Sequence, residues 1–393
     1  MCGDSQCREL INPLKVILVN PTVRSLYHGA LSLFPDDVSS KIFEILFKSR
    51  GRPRVYNRHL NESSLRLARG TVTFSLDFEL AWAWRYSKRN ASRCIEFGLR
   101  ERDHVPRILE AFDRHRLPAT WATVGHLFLD HCERGPDGKP HSHLPRIPYF
   151  ENLRWKYHSG DWFDHDPCSD VTKAPAWYAP DLISQIMASP TGHEVASHSF
   201  SHIGFGPYCP HNVALAELME CREVMAKVGL NPESFVFPAN DYGNFPAVAE
   251  SGFSIIRYFP WWEAEISLPL RLSNGLWAVH ASSYLQKGTE TDRGKLANHR
   301  RYLQWFIDKA VKTRLNAHLW LHPSIPAIQI EEVLVPLLNH CAELQDRGLL
   351  SVMTMGDLVE RARVQIPSKE YDLSGMRLSP GIAKPSFPSA EYS

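Results

Sequence analysis

Two histidines, four residues apart, are spaced as ligands of a single metal ion would be. His198 and His202 stand at the end of the segment Gly192–His202, just after a short apolar run. Imidazole rings at positions i and i+4 of a helical turn lie on one face, close enough to bind one cation. Because the chain has 19 histidines, this pair alone favours a metal site and a coincidence about equally.

An acidic pair and a later histidine stand in similar places elsewhere in the chain. Asp77 and Glu79 come at the end of an apolar segment that begins at residue 71, and His322 follows the apolar segment 317–321. On an extended backbone, Asp77 and Glu79 would point to the same face. A lone Asp after a strand is more often a turn or cap, and a lone His is more often a packed residue. Together, however, these residues predict one shared site.

Four further residues are candidates for contacts with a substrate. Asn240 and Asp241 follow the apolar segment 235–237, and Arg257 follows the next predicted strand. Trp82 comes shortly after the acidic pair, and an aromatic ring offers a large apolar face against which a sugar ring can pack. The chain has 11 tryptophans. Most of them are expected in the core or in packed loops, but a glycan groove is also consistent with this number.

Short apolar segments alternate with helical patterns from about residue 71 to residue 365. One predicted helix runs from Asp103 to Arg116. This alternation is typical of βα units and predicts a distorted (β/α) barrel of seven or eight strands. Active sites of such barrels lie at the C-terminal ends of the strands, which is where the candidate residues stand.

The remaining segments extend this predicted barrel of residues 71–365. Residues 1–70 are an N-terminal extension with a short amphipathic helix over 41–48, for which packing on the barrel is favoured over peripheral contact with a membrane. Residues 133–180 form a long insertion, a candidate substrate lid, and residues 366–393 an extended tail. The insertion also contains a dense group of acidic and histidine side chains. They are more often solvated loop residues than ligands of a second metal ion; the group is Asp161, Asp164, His165 and Asp166.

Composition narrows the classes of function and partner. Lys and Arg number 44 and Asp and Glu number 43, so the net charge of +1 offers no basic excess for nucleic acid. No apolar run approaches the ~20 residues of a membrane span, and the N-terminus does not resemble a secretory signal. The eight cysteines include no Cys-x-x-Cys pair, which favours free thiols. We expect a cytoplasmic protein without a transmembrane segment; its oligomeric state is left open.

The motifs resemble those of the polysaccharide deacetylases with the NodB-homology domain, carbohydrate esterase family 4. The resemblance covers about residues 71–365 and is most specific in Gly192–His202. Its first motif is the acidic pair in Ser75–Leu80, its late motif is Leu319–Pro323, and the segment 354–358 resembles the close of these domains. The resemblance implies a metal-dependent hydrolase acting on carbon–nitrogen bonds other than peptide bonds.

The resemblance also implies a role for each site residue. Asp77 would be the general base and His322 the general acid, while Glu79, His198 and His202 would hold the metal. Zn²⁺ is the expected ion, with cobalt, nickel, iron and manganese as alternatives on the same ligands. Because the family more often has adjacent aspartates in the first motif, the roles of the two acids can be exchanged.

The third motif departs from the family pattern. The family usually has an Arg before a Pro, and the Arg orients the base. Here Val236 takes the Arg position in the segment that continues to Pro238. Asn240, Asp241 or Arg257 would then orient the base or bind the substrate.

The expected substrate is a sugar or glycan precursor in cell-surface polysaccharide synthesis, from which an acetyl group, N-acetyl rather than O-acetyl, is removed. Two alternatives stay open. One is hydrolysis of a non-sugar linear amide or cyclic imide on the same fold. The other is a catalytically degenerate relative that binds carbohydrate, which the missing third-motif Arg suggests.

Overall fold

The computed structural model describes residues 66–85, 91–147, 161–206, 209–258 and 266–365. The predicted helix over 41–48 and the predicted tail over 366–393 lie outside these ranges. The division into extension, barrel and tail therefore stays a prediction.

One sheet of ten strands runs through the described part of the chain. Its strands are β1 (Gly70–Phe78), β2 (Thr120–Thr123), β3 (Glu194–Ser197), β4 (Ser234–Val236), β5 (Ile255–Tyr258), β6 (Leu270–Arg271), β7 (Trp277–His280), β8 (Ser283–Tyr284), β9 (Asn316–Leu321) and β10 (Leu350–Met353).

The strand order is β6-β7-β5-β4-β3-β2-β1-β9-β8, and β10 also pairs with β1. The strands of three or more residues pair parallel with one another, whereas the two-residue β6 is antiparallel to β7. Eight strands have three or more residues. The sheet curls, because the chain that follows β7 returns to β9, where the Ser282 N–H donates to the His318 carbonyl at 2.7 Å. The predicted distorted (β/α) barrel is confirmed. Its parallel strands end at one edge.

Helices connect these strands. The α-helices of six or more residues are α1 (Cys94–Arg114), α2 (Pro180–Ala188), α3 (His211–Lys227), α4 (Phe245–Glu250), α5 (Arg293–Thr313), α6 (Val335–Asp346) and α7 (Met355–Gln365). The predicted start of a helix at Asp103 is wrong, because α1 begins at Cys94. Its interior contains Gly98 and Pro106, residue types that usually disfavour a helix interior, so its length depends on tertiary packing.

Strand β1 is an interior strand of the sheet, paired with three other strands, and is buried along its whole length. It pairs with β9 on one side and with β10 and then β2 on the other. Its alternate residues Thr71, Thr73, Ser75 and Asp77 are polar yet buried. They meet polar residues of β9: the Thr71 hydroxyl lies 3.1 Å from Asn316 Oδ1 and the Ser75 hydroxyl 2.7 Å from His318 Nε2. This polar line leads to Asp77 at the end of the strand.

Within these ranges, every helix is too short or too polar to cross a lipid bilayer.

Candidate active site

The three predicted metal ligands meet at the C-terminal ends of β1 and β3. Glu79 Oε1 lies 2.9 Å from His198 Nε2 and 3.1 Å from His202 Nε2. All three side chains are buried, and one ligand atom from each lies within 4.8 Å of the others. The structure therefore brings together residues that are up to 123 positions apart in the sequence.

The two histidines do not lie on a helical turn, so that expectation from the sequence is wrong. The chain after β3 is an irregular loop, in which Ser199 and His202 have φ values of 59° and 61°. Positive φ is uncommon for residues other than glycine and often marks a functional site. Backbone hydrogen bonds hold the loop: the Gly125 N–H donates to the Ser199 carbonyl at 2.8 Å and the His126 N–H to the Phe200 carbonyl at 2.9 Å.

The hydrogen bonds of His198 show what the three ligands can bind. Its Nδ1 lies 2.7 Å from the carbonyl oxygen of Val236. A carbonyl oxygen can only accept, so Nδ1 carries a hydrogen and donates it. In the neutral ring Nε2 is then an unprotonated acceptor, and it faces the ionised Glu79 carboxylate, another acceptor, at 2.9 Å. A cation between the two groups resolves this conflict. A metal-binding histidine usually donates its other ring N–H to a carbonyl or carboxylate oxygen, as His198 does to Val236.

The protonation states of the ligands agree with that arrangement. Burial by itself would raise the pKa of Glu79, but His322, His202 and His198 lower that pKa well below its usual value. Burial lowers the pKa of His202. Glu79 is therefore a carboxylate and His202 a neutral imidazole, the forms that metal ligands require. Glu79 Oε2 is buried and has no hydrogen-bond partner among the described residues. The donor set fits a divalent metal ion.

Asp77 is held by Arg257 rather than by the histidine pair. The Arg257 guanidinium is completely buried, and its Nη2 donates to Asp77 Oδ2 at 2.6 Å while Nη1 donates to Oδ1. Nη1 also donates to the Ser75 hydroxyl at 3.0 Å. Both terminal nitrogens of the Arg257 side chain are thus engaged by Asp77 and Ser75, and its predicted contact with substrate stays a prediction. Its alternative predicted role, orienting Asp77, is the one that its contacts support.

The position of Arg257 explains the departure in the third motif. Val236 on β4 and Arg257 on β5 are direct partners in the parallel register. Asp77 thus receives its guanidinium contact from β5, the strand next to the one that carries Val236. The two side-chain origins lie one strand apart, so a long guanidinium from β5 can reach Asp77 across the barrel interior.

His322 completes the site at the end of β9. Its Nε2 lies 3.7 Å from Glu79 Oε2 and 4.0 Å from Asp77 Oδ2, and its side chain is 16% exposed. Its Nδ1 lies 2.7 Å from the hydroxyl of Tyr284. Burial and the charges of Asp77 and Glu79 raise the pKa of Tyr284 well above its usual value, so the hydroxyl stays protonated. A hydroxyl that donates to Nδ1 leaves the hydrogen of His322 on Nε2, facing the carboxylates.

The other predicted substrate residues are buried in packing contacts. Trp82 is 0% exposed, and its indole N–H donates to the carbonyl of Trp177 at 3.2 Å. Asn240 accepts from the Tyr242 hydroxyl at 3.1 Å, and Asp241 accepts from the Gly206 N–H at 3.2 Å. The contacts of Trp82, Asn240 and Asp241 thus support packing and loop-holding roles, and their predicted substrate contacts stay predictions.

Trp84 is the aromatic residue beside the site. It is half-buried, and its ring centroid lies 5.9 Å from that of His322. The sequence pattern places Trp82 and Trp84 equally close to the acidic pair. A short 3-10 turn over Leu80–Ala83 separates them, because it directs Trp82 into the core.

Two residues that support the site, Glu101 and Tyr284, are not predicted from the sequence. Glu101 on α1 accepts the backbone N–H of Glu79 at 2.8 Å. Tyr284 contacts His322 from β8, a strand of two residues. Neither stands in a motif; Glu101 follows the acidic pair by 22 residues on a helix whose start was predicted wrongly.

Comparisons with known proteins agree with the motifs. The sequence profile of the family described as "Polysaccharide deacetylase" matches residues 89–249. That range includes His198 and His202, whereas Asp77, Glu79 and His322 lie outside it. No curated protein matches the sequence. The predicted resemblance to the polysaccharide deacetylases with the NodB-homology domain is confirmed.

Two solved structures share the fold. A protein from Mycobacterium smegmatis assigned to the polysaccharide deacetylases superposes with a TM-score of 0.54 at 15% identity, covering 81% of this chain and 98% of that chain. The allantoinase Puue superposes with a TM-score of 0.50 at 14% identity, covering 76% and 92%. At these identities the likeness extends to the fold.

Proposed function

We propose that this relative of the polysaccharide deacetylases is a metal-dependent hydrolase that removes an acetyl group from the nitrogen of an acetamido sugar. The observation that carries the proposal is the meeting of three buried ligand atoms, in which Glu79 Oε1 lies 2.9 Å from His198 Nε2 and 3.1 Å from His202 Nε2. Glu79, His198 and His202 would hold a divalent ion, with Zn²⁺ as the first candidate. Three protein ligands are the catalytic rather than the structural pattern of zinc.

The chemistry divides between the ion and two side chains. The bound ion supplies Lewis-acid polarisation of a carbonyl and acidification of water. Asp77, fixed by the Arg257 fork, accepts the proton of the attacking water. His322 would carry hydrogens on both ring nitrogens, with Nδ1 donating to the Tyr284 hydroxyl, and would give its Nε2 proton to the leaving amine, which leaves a neutral ring. In this division Glu79 is the ligand and Asp77 the base, since Glu79 contacts both histidines and Asp77 contacts Arg257.

The choice between an active and a degenerate protein depends on the support of the base. The missing Arg of the third motif was the reason to consider a protein without activity. Arg257 supplies a bidentate contact to Asp77 from the neighbouring strand, which favours an active enzyme. Trp84 beside His322 offers an apolar face at the site, and this favours a sugar ring over a small linear amide or cyclic imide.

Metal analysis and acetate release, measured together on the full chain, test the proposal. Wild-type protein loaded with Zn²⁺ is expected to release acetate from an N-acetylated oligosaccharide. His198→Ala and His202→Ala are expected to lose the ion and the activity. Asp77→Asn is expected to keep the ion and lose on the order of 10²–10⁴ in kcat. His211→Ala, whose side chain is 50% exposed on the surface, is the control and should match wild type.

Three results would contradict the proposal. Stoichiometric metal in both histidine variants at this site removes the ligand assignment. A wild-type rate for metal-loaded Asp77→Asn removes Asp77 as the base. Turnover of a cyclic imide or linear amide, with none of the acetamido sugar, moves the protein to the second reaction class.

The place of the reaction in the cell is also a proposal. A nucleotide- or lipid-linked precursor in cell-surface polysaccharide synthesis would suit a cytoplasmic enzyme. Cytoplasmic location and peripheral membrane contact both stay predictions.

A further inference from the structure

A second cluster of metal-type side chains lies outside the site described above. It consists of His126, Cys132, His141 and Asp166, and one ligand atom from each lies within 4.8 Å of the others. The two histidines and Asp166 are buried, and Cys132 is half-buried. Their sequence positions show no metal-binding motif, and Cys132 has no Cys-x-x-Cys partner. Only the fold of the insertion brings them together.

The distances within this cluster suit a tetrahedral ion. Asp166 Oδ2 lies 2.9 Å from His141 Nε2 and 3.1 Å from His126 Nε2. Cys132 Sγ lies 3.5 Å from both carboxylate oxygens of Asp166. Zinc at 2.0–2.3 Å from its ligands would place neighbouring ligand atoms about 3.3–3.6 Å apart. Small movements of the two imidazoles would therefore accommodate the ion.

Neighbouring groups orient the proposed ligand atoms. The Cys168 N–H donates to Asp166 Oδ1 at 2.9 Å, which leaves Oδ2 directed at the histidines. The Tyr178 hydroxyl accepts from the Ser169 N–H at 2.9 Å and lies 3.1 Å from Cys132 Sγ. With its lone pair engaged by that N–H, the hydroxyl can donate to the sulfur. Hydrogen bonds of this kind, from neighbouring groups to the ligand atoms, are typical of metal-binding sites in proteins.

The charges in the cluster are also those of a zinc site. Within the described part of the chain, the ion pairs of the Asp166 carboxylate are with His126 and His141, and no Lys or Arg neutralises it. Arg134 reaches the backbone oxygen of Asp166, at 3.4 Å, instead of the carboxylate. Burial and the charge of Asp166 raise the pKa of the Cys132 thiol, so the ion would have to displace its proton, and the resulting thiolate and the Asp166 carboxylate would together carry two negative charges. A divalent cation with two neutral imidazoles cancels them, so the occupied buried site is neutral.

We propose that His126, Cys132, His141 and Asp166 bind a structural Zn²⁺ ion that fastens the long insertion to the barrel. His126 follows β2 in the 3-10 turn Gly125–Phe128, so it belongs to the barrel. The other three ligands belong to the chain between β2 and α2, where the described residues form turns and isolated bridges instead of regular elements. Four protein ligands close the coordination sphere, which is the structural rather than the catalytic pattern.

This site would also stabilise the loop of the active site. The His126 N–H donates to the carbonyl of Phe200, which lies between His198 and His202. The Phe200 ring packs against both histidines of the cluster, with centroids 5.7 Å from His126 and 5.1 Å from His141. An ion that fixes these two imidazoles fixes the surface on which Phe200 rests.

The zinc content of the full chain tests the proposal independently of the active site. Wild-type protein refolded with ZnCl₂ is expected to hold two ions per chain by elemental analysis. His202→Ala should keep the insertion ion alone. Cys132→Ser and His141→Ala should lose the insertion ion and keep the active-site ion. His143→Ala, whose side chain is 59% exposed, is the matched control in the same insertion and should hold both ions. Cys168→Ser, which keeps the backbone N–H to Asp166, tests whether the thiol of Cys168 is the ligand in place of Cys132 and should also hold both ions.

Cobalt substitution identifies the ligand of the second ion. A Co²⁺–thiolate bond gives a near-ultraviolet charge-transfer band, which ligands of nitrogen and oxygen alone do not give. The band is expected in His202→Ala, where the active-site ion is lost, and should vanish in Cys132→Ser. Because the active site contains no cysteine, its success or failure as a metal site does not alter this band.

The outcomes separate this proposal from the proposed function. No zinc in His202→Ala, or no thiolate band with cobalt bound, means that the cluster is held by hydrogen bonds alone and overturns the proposal. Equal loss of the second ion in Cys168→Ser and Cys132→Ser overturns the ligand set. If the wild-type protein holds the insertion ion but shows no deacetylase activity, the proposed function is contradicted and the structural metal site is not.

Discussion

Val236 and Arg257 are neighbours across two parallel strands, and this pairing decides how the general base is held. A buried carboxylate needs a partner, because an unpaired buried charge is costly. Asp77 finds that partner in the Arg257 fork, and the guanidinium lies 4.4 Å from the ring centroid of Trp320. Burial and the Arg257 charge lower the pKa of His318, so this histidine accepts from Ser75 as a neutral ring and does not compete for Asp77.

Replacement of Arg257 by Lys tests this arrangement. Lysine keeps the positive charge but loses the bidentate geometry, so Asp77 would be held less well. Arg257→Lys is expected to lower kcat for deacetylation by about 10–100-fold while metal content stays at the wild-type value. Acetate release and elemental analysis measure the two quantities.

Arg222→Lys on α3, where the guanidinium contacts the carbonyl of Pro232, is the control for this change. A wild-type kcat in Arg257→Lys would show that the fork does not matter for the base. Loss of metal in parallel with activity would show that Arg257 acts through the ligands.

At the scale of elements, β1 and α1 together set the position of Glu79. Strand β1 ends at Phe78, and Leu80 follows with a φ of 49°. Helix α1 then packs on this bend: a Cβ atom on Gly98 would lie 2.9 Å from both the Ala81 nitrogen and the Ala176 oxygen. Those two atoms form a hydrogen bond of 3.0 Å. The close approach lets Glu101 reach the N–H of Glu79.

Substitution of Gly98 by alanine is therefore expected to destabilise the protein. The added methyl group would push α1 away from rigid backbone, at a cost of about 1–3 kcal/mol. This cost exceeds the gain in helix propensity of about 1 kcal/mol. The free energy of unfolding by urea, and metal affinity as a second readout, measure the change.

The matched control is Gly294→Ala near the start of α5. A Cβ atom there meets only Asp292 Oδ1, the N-cap acceptor of α5, at 3.3 Å, so a shift of a few tenths of an ångström that keeps the cap is enough. Gly294→Ala is expected to be neutral or mildly stabilising. If Gly98→Ala behaved in the same way, α1 would not be fixed by close contact with the bend.

At the scale of the whole molecule, folding changes the charge that the composition suggests. The formal net charge of +1 counts every carboxyl as ionised. Burial raises the pKa of Glu101 well above its usual value and raises that of Glu194 as well. Burial also raises the pKa of Glu217 to about 7, in spite of hydrogen bonds from Ser201 and the charge of Arg85. Part of the negative charge is thus neutralised by the fold near neutral pH.

Glu217 makes the stability of the molecule depend on pH. Its pKa is about 7 in the folded state against a usual value of 4.5, so the folded chain holds more protons between these values. Stability from this group is present at low pH and is lost as pH rises through the interval. The free energy of unfolding should fall by about 3 kcal/mol more in wild type than in Glu217→Gln between about pH 4.5 and about pH 8.

Urea unfolding across this pH range measures the difference. Glu223→Gln, on the same helix with a side chain that is 65% exposed, is the control and should follow the wild-type curve. Parallel curves for wild type and Glu217→Gln would show that the buried carboxyl is not linked to folding.

Alternation along β1 made the acidic pair recognisable, because strand residues two apart share a face. The barrel and the meeting of Asp77, Glu79, His198, His202 and His322 followed from polar residues at strand ends. The same reasoning did not separate Trp82 from Trp84, because only the turn of 3-10 helix between them directs Trp82 into the core and leaves Trp84 beside His322. It also predicted a helical turn at His198 and His202, where the chain forms an irregular loop. The positive φ of Ser199 in this loop could not be predicted, because serine is not a residue that marks the left-handed conformation in a sequence.

The sequence by itself determined the chemistry of the ligands, the rhythm of strands and helices, and the edge of the barrel at which they meet. These properties depend on residue type and local spacing. Only the tertiary structure decided that Glu79 joins the histidines, that Arg257 holds Asp77 from the next strand, and that Cys132 and Asp166 meet His126 and His141. The physical reason is that these contacts join residues distant in the chain through strand register and close packing, which local spacing does not encode.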